Sequence, residues 1–226
     1  MGETISLRAA DSFGLSAYRA APPGRPRGGL VVIQEIFGVN GHIRRVADGF
    51  AADGFLAIAP ALFDRIEPDL QLGYGPADIE RGRQLKGQSG TDKALADIDA
   101  ARAKAAEAGP VATIGYCWGG YLSWLSATRL AGLAAAVSYY GGGIGSVADE
   151  KPRCPVLMHF GDKDHAIPLS EVDKVRAAHP TGVEVHVYPA GHGFNCDERA
   201  SFDADSARLA RERSVAFLRE HVRAPR

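Results

Sequence analysis

Short apolar runs, spaced by segments long enough for a helix, mark most of the chain. Residues 29–35 (GLVVIQE), 55–60 (FLAIAP), 111–116 (VATIGY), 134–140 (AAAVSYY), 155–160 (PVLMHF) and 182–188 (GVEVHVY) read as strands, most of them nearly continuously apolar, as strands buried on both faces are. Between them the apolar spacing becomes helical. Asn40 stands at a cap position ahead of Ile43, Val46, Ala47 and Phe50, which share one helix face. Thr91 opens a second such segment, with Leu95, Ile98 and Ala105 apolar and Gly109 as its stop. A last helix runs from roughly Asp203 to Val222, carrying Leu209, Val215, Phe217 and Leu218.

Residues 4–10 and 14–20 flank a turn around Asp11-Ser12-Phe13-Gly14 and predict an antiparallel pair of short strands. A Pro/Gly-rich loop follows. The stretch from Ala61 to Gly90 is the least regular, and predicts a loop plus a short helix over the ligand site. No repeat, low-complexity tract or linker interrupts the pattern, so residues 1–226 are expected to form a single domain. Strands alternating with helices give parallel βαβ units with right-handed crossovers, hence an α/β fold: a doubly wound, mostly parallel sheet with an antiparallel N-terminal strand pair. Ligands bind such sheets at the strand carboxyl ends. The residues just past the apolar runs are therefore the ones to inspect: Glu35, Cys117, 161–164 and 190–192.

Composition narrows the function classes. A formal net charge of -1 supplies no global field for nucleic acid or anionic lipid, so neither is an expected partner. Cys117, Cys154 and Cys196 are too few and too far apart for a disulfide framework, which points to a reducing cytoplasm. The opening MGETISLRAADSFG lacks the pattern of a secretory signal, no window is apolar enough to span a bilayer, and Ile5-Ser6 gives poor support for acylation at Gly2.

The chemistry concentrates in three places. Cys117 lies in GYCWGG between a strand-like and a helix-like run, where a sharp turn lifts a nucleophile above the sheet and Gly115 and Gly119 avoid collisions. The helix that follows presents its positive end to the sulfur, and the Trp118 N–H is placed to donate to an oxyanion. A buried, inert cysteine is the competing reading of this motif; Cys154, beside Pro155, lacks the setting altogether. Asp162 and Asp164 both follow the run 155–160, and the spacing from Gly161 to Asp164 and on to Ile167-Pro168 favours Asp164, although either could simply cap the next helix. His192 alone among the histidines sits in a tight loop after a strand and before the last helix; His42, His179 and His221 are expected on helices and His186 in a strand. A zinc site of His165, His192 and Cys196 lacks any close ligand pair, so no metal is expected.

With Cys117, Asp164 and His192 in the order nucleophile, acid, base, the chain resembles the dienelactone hydrolase family of α/β-hydrolases. Four blocks carry the resemblance over nearly the whole length: Gln34–Asn40 (QEIFGVN), GYCWGG, GDKDHAIP and AGHGF. It implies a cofactor-free hydrolase of small esters or enol-lactones, working through an acyl-enzyme on Cys117. It also implies that Glu35 contacts the resting thiol and is displaced by an anionic substrate, and that Ile36 supplies a second oxyanion-hole N–H beside that of Trp118. Arginines hold the substrate carboxylate in this family; Arg83 is the first candidate here and Arg81 the second. The best-known members carry another arginine four places past the histidine, where this chain has Cys196, and Arg199 is the substitute. Two rival readings stay open. One is a cysteine esterase for other small, uncharged esters; the other is a non-catalytic, redox-responsive relative using Cys117 and Cys196 as a thiol pair.

Overall fold

In the computed structural model, which describes residues 2–223, eight strands form one sheet in the order β1-β2-β4-β3-β5-β6-β7-β8. Met1 and residues 224–226, counted above in the same domain, lie outside the described residues. β1 (Glu3–Arg8) and β2 (Gly14–Ala20) are antiparallel, and β2 also runs antiparallel to β4 (Leu56–Pro60). The remaining pairings, through β3 (Gly29–Ile33), β5 (Val111–Tyr116), β6 (Leu133–Tyr139), β7 (Val156–Gly161) and β8 (Val183–Tyr188), are parallel. Every residue of β3, β4, β5 and β7 is buried, which is why those runs read as continuously apolar. β8, at the edge, is only half covered.

The chain leaves β3 for β4 on one side and later returns to β5 on the other. That reversal makes a crevice at the carboxyl ends of β3 and β5, where ligands of open α/β sheets bind. Glu35 follows β3 and Cys117 follows β5.

The first helix starts with the cap read from the sequence, and the last, expected from about Asp203, starts with the same device. Asn40 Oδ1 accepts the Ile43 N–H (3.2 Å) at the start of α1 (Gly41–Ala52), and Asp203 Oδ1 accepts the Ser206 N–H (2.9 Å) at the start of α6 (Ala204–His221). α1 buries Ile43, Ala47 and Phe50 but also His42. α3 (Thr91–Ala105) ends in a 3₁₀ turn that Gly109 closes at φ 114°. α4 (Trp118–Arg129) follows β5 and α5 (Leu169–Ala178) follows β7; His179, expected within a helix, lies just past the end of α5.

The stretch 61–90 corrects the expectation of a short helix. α2 (Pro76–Ser89) is 14 residues long. Pro76 at its first turn and Asp78, whose carboxylate accepts the Gly75 N–H (3.2 Å), start it firmly, while Gly82, Leu85 and Ser89 are its buried residues. With so narrow a covered face the helical period is faint in the sequence. Gly82 lets α2 lie directly on the loop after β3, since a Cβ there would come 2.3 Å from the Ile36 carbonyl oxygen.

Two glycine substitutions should have opposite signs. In Gly115→Ala the new Cβ would lie 1.9 Å from the Gly119 carbonyl oxygen, so backbone must move. A loss of about 1–3 kcal/mol is expected, a fall in Tm of roughly 2–12 °C for a chain of this size. Gly87, on the exposed side of α2 with open space around it, should gain about 0.5–1 kcal/mol as alanine. Thermal melts of the two variants check the pair; equal melting of Gly115→Ala and wild type would remove the packing argument.

Candidate active site

Cys117 joins β5 to α4 with φ 55° and ψ −115°, a left-handed region that side chains other than glycine rarely occupy. The surroundings enforce it. A Cβ on Gly119 would meet the Ile33 and Gln34 carbonyl oxygens at 2.3 and 2.5 Å, and one on Gly120 the Tyr139 carbonyl oxygen at 2.5 Å. The Cys117 N–H donates to Tyr139 O (3.0 Å), and the Tyr121 N–H donates to Cys117 O (3.2 Å). Trp118 is the first residue of α4, so its N–H has no partner within the helix, and its ring stacks on Phe63 at 5.4 Å.

Three side chains separated widely in sequence meet at this turn. His192 Nε2 lies 3.2 Å from Cys117 Sγ, and His192 Nδ1 lies 2.7 Å from Asp164 Oδ2. The other Asp164 oxygen accepts the Ala166 N–H (2.8 Å), so the buried carboxylate is held at both ends. Ser201 Oγ donates to His192 O (2.6 Å) and Gly193 takes φ 79°, which fix the loop carrying the imidazole. Burial disfavours the imidazolium, but the Asp164 hydrogen bond and the Cys117 sulfur outweigh it, and the His192 pKa is pushed up to about 10. Asp162 is exposed and so is His165.

Glu35 is 1% exposed and makes an arrangement different from the resting contact with sulfur implied above. Its Oε1 accepts from Arg199 Nη1 (3.1 Å) and its Oε2 from the Tyr74 hydroxyl (3.3 Å). A guanidinium offers a buried carboxylate both charge and a directed donor, which a thiol cannot match. Cys196 is fully buried beside Tyr74; burial and the neighbouring Glu35 push its thiol up to about 11. Burial likewise pushes Cys154, two residues ahead of β7, up to about 11.

A cavity of about 410 Å³ opens over the sulfur, lined among others by Ile36, Cys117, Trp118 and His192. Arg83, Lys86 and Arg199 bring positive charge to its walls. Arg83 and Lys86 are exposed and, among the described residues, have no ion-pair or hydrogen-bond partner through their side chains. Arg81 instead pairs with Glu67 (2.5 Å). Residues two apart on a helix point about 200° apart, so Arg81 and Arg83 cannot face the same cavity, whereas positions 79, 83 and 86 can. Lys86, not among the residues expected at the site, reaches the cavity by that same helical spacing.

The match to the dienelactone hydrolase family model spans residues 15–222. The chain belongs to this family. It is 38% identical over 232 residues to a protein of Azospirillum brasilense named "Putative carboxymethylenebutenolidase", covering 96% of this chain and 98% of the relative. A protein of the same name from Synechocystis sp. is 37% identical over 197 residues, covering 79% and 80%. The crystal structure titled "Putative Dienelactone Hydrolase" from Klebsiella pneumoniae superposes with a TM-score of 0.82 at 32% identity, covering 95% of this chain and 98% of that one. As a dienelactone hydrolase family member the chain is a hydrolase with an α/β-hydrolase fold, and no helix of the described residues is long and apolar enough to cross a membrane.

Because the His192 shift is upward, its imidazolium should persist through neutral pH and lose its proton only as the pH approaches about 10. In Asp164→Asn that loss should move to lower pH, since the strongest partner of the charged ring is gone. Imidazole NMR titration of both proteins checks the sign; an unchanged His192 midpoint in the variant would refute the coupling.

Proposed function

We propose that this dienelactone hydrolase family member cleaves small carboxylic esters or lactones through a covalent intermediate on Cys117, and that its substrates carry a second, anionic group. The observation that supports it most is the continuous relay from Asp164 through His192 to Cys117, at 2.7 and 3.2 Å. The relatives' name, carboxymethylenebutenolidase, supports the substrate class.

In this reading the Cys117 sulfur attacks the acyl carbon and the carbonyl electrons move to oxygen. The Ile36 and Trp118 N–H groups stabilise that oxyanion. The carbon–oxygen single bond then breaks, and His192 delivers its proton to the departing alkoxide, which stays tethered when the substrate is a lactone. Water, losing a proton to His192, attacks the thioester and releases the acid, restoring the cysteine. Asp164 keeps the ring oriented and stabilises its charged form. No step calls for a cofactor. Residues 2–223 work as one domain around one sheet, and the unpaired Cys117, Cys154 and Cys196 suit a reducing compartment such as the cytoplasm.

Arg83, Lys86 and Arg199 support the anionic preference, because a carboxylate entering the cavity meets positive charge on facing walls. The Glu35–Arg199 pair favours a second reading, a cysteine esterase for uncharged esters, in which Arg199 is already satisfied.

Cys117→Ala should retain the fold and lose hydrolysis, and mass spectrometry of wild type with an activated ester should find one acyl group on Cys117. Asp164→Asn should slow turnover by up to about 10,000-fold, the cost of the analogous change in a serine protease, and Asp162→Asn should leave it nearly unchanged. Turnover in folded Cys117→Ala equal to wild type would remove the mechanism. For substrate class, Arg83→Ala should raise KM for a carboxylate-bearing ester about ten- to a hundredfold and leave a neutral ester alone, with Arg81→Ala as the control. Equal effects on both esters would favour the uncharged-ester reading.

A further inference from the structure

Outside the lining of the cavity just described, the fold brings together Glu35, His42 and Cys196. They come from the loop after β3, from the first turn of α1 and from the loop before α6. One potential ligand atom of each lies within 4.8 Å of the others, and all three residues are buried: Glu35 is 1% exposed, His42 4% and Cys196 not at all. We propose that these residues bind a zinc-class divalent cation, at a site that does not depend on the reading of Cys117 as a nucleophile.

The first support is the state of His42. Its Nδ1 lies 3.2 Å from Asp197 Oδ1, while its Nε2 is buried with no partner among the described residues. With Nδ1–H donating to the Asp197 carboxylate, Nε2 is the ring nitrogen left to meet a cation. A carboxylate behind an imidazole in this way is how metal-bound histidines are oriented and made more basic. Without a cation, a buried acceptor of this kind is an expensive orphan.

The donor set is the second support. An imidazole nitrogen, a sulfur and a carboxylate oxygen match the ligands zinc takes, and exclude calcium or magnesium, which want oxygen alone. Metal–ligand bonds of about 2.0–2.3 Å place tetrahedral ligand atoms roughly 3.3–3.6 Å apart, so modest side-chain rotation closes the cluster. On coordination the Cys196 thiol gives up its proton to solvent and leaves a metal–thiolate bond. Glu35 has lone pairs enough to keep Arg199 on Oε1 while Oε2 turns to the cation. The bond given up is the longer one, from Tyr74 at 3.3 Å, and Tyr74 keeps its contact with Asn40 Nδ2 (3.2 Å).

Two further features fit. The Tyr140 hydroxyl is also buried without a partner, and Glu35 and Cys196 are among the groups acting on it electrostatically. A water in the fourth coordination position would satisfy it. His42 and Asp197 also line a separate cavity of about 310 Å³ between α1 and α6.

The test is titration of the chelator-treated full chain with Co(II), followed by the near-ultraviolet thiolate-to-cobalt charge-transfer band and the visible ligand-field bands. The expected result is one Co(II) per chain with both signals, displaced by Zn(II). Cys196→Ser should abolish the charge-transfer band and Cys117→Ser should keep it, whether or not the protein hydrolyses esters. His42→Gln should weaken binding at least about tenfold, and Asp197→Asn about ten- to a hundredfold, with folding of each variant checked by circular dichroism. Asp197 is exposed, so its variant remains informative if His42→Gln fails to fold. Absence of the charge-transfer band in wild type, or its loss in Cys117→Ser with survival in Cys196→Ser, would overturn the proposal.

Discussion

Everything at the carboxyl edge of the sheet depends on how closely the backbone crosses itself between β5 and α4. Gly115, Gly119 and Gly120 let the turn press against its own carbonyls, against the end of β3 and against the end of β6. Any side chain at those points would need the space now held by backbone atoms. The same contacts leave Cys117 no unstrained conformation, so its left-handed φ is a consequence of the crossing rather than a local preference. The result is that the thiol, the first N–H of α4 and the loop carrying Glu35 and Ile36 are fixed relative to one another by packing.

Charge is arranged around that rigid centre in pairs of different depth. Asp164 is buried and receives two donors, so the orientation it gives His192 is set by backbone as well as by the imidazole. Glu35 is buried more deeply and is answered by Arg199, whose guanidinium also reaches the cavity wall. Removing either partner of that pair would strand a charge away from water, which is costlier than the pair itself is stabilising. Arg83 and Lys86 carry no such obligation, because they are exposed and unpaired among the described residues. They can meet a ligand anion at little cost, while Arg199 can do so only by sharing itself with Glu35.

What the sequence made legible follows from which forces act locally. The buried strands announce themselves because two covered faces require unbroken apolar runs, and α1 and α6 because Asn40 and Asp203 cap them within a few residues. Cys117, Asp164 and His192 could be singled out because chain order and strand-end position constrain them. α2 was underestimated in length because it buries so little of its surface. The pairing of Glu35 with Tyr74 and Arg199 is not legible for a different reason. Tyr74 and Arg199 are 39 and 164 positions away, and no periodicity links them to it. His42 was read only as one more helical histidine, since its burial and its neighbour Asp197 depend on how α1 docks against the loop before α6.

The cysteine at position 196 draws these strands of argument together. Cys196 is fully buried, with Glu35 among the charges that act on it. Arg199 supplies the charge from three residues further along, through a loop whose turns run from Gly193 to Cys196 and from Cys196 to Arg199. Moving the guanidinium along the loop keeps Glu35 neutralised and keeps a cation at the cavity wall. It also frees position 196 for a small, polarisable side chain next to Tyr74 and within reach of His42. The electrostatic requirement of Glu35 is therefore met by Arg199 while its surroundings mix a guanidinium, an imidazole and a thiol. Glu35 therefore joins Arg199 at the cavity wall to the buried neighbourhood of Cys196, and whatever draws on its carboxylate from one side alters how firmly it holds Arg199 on the other.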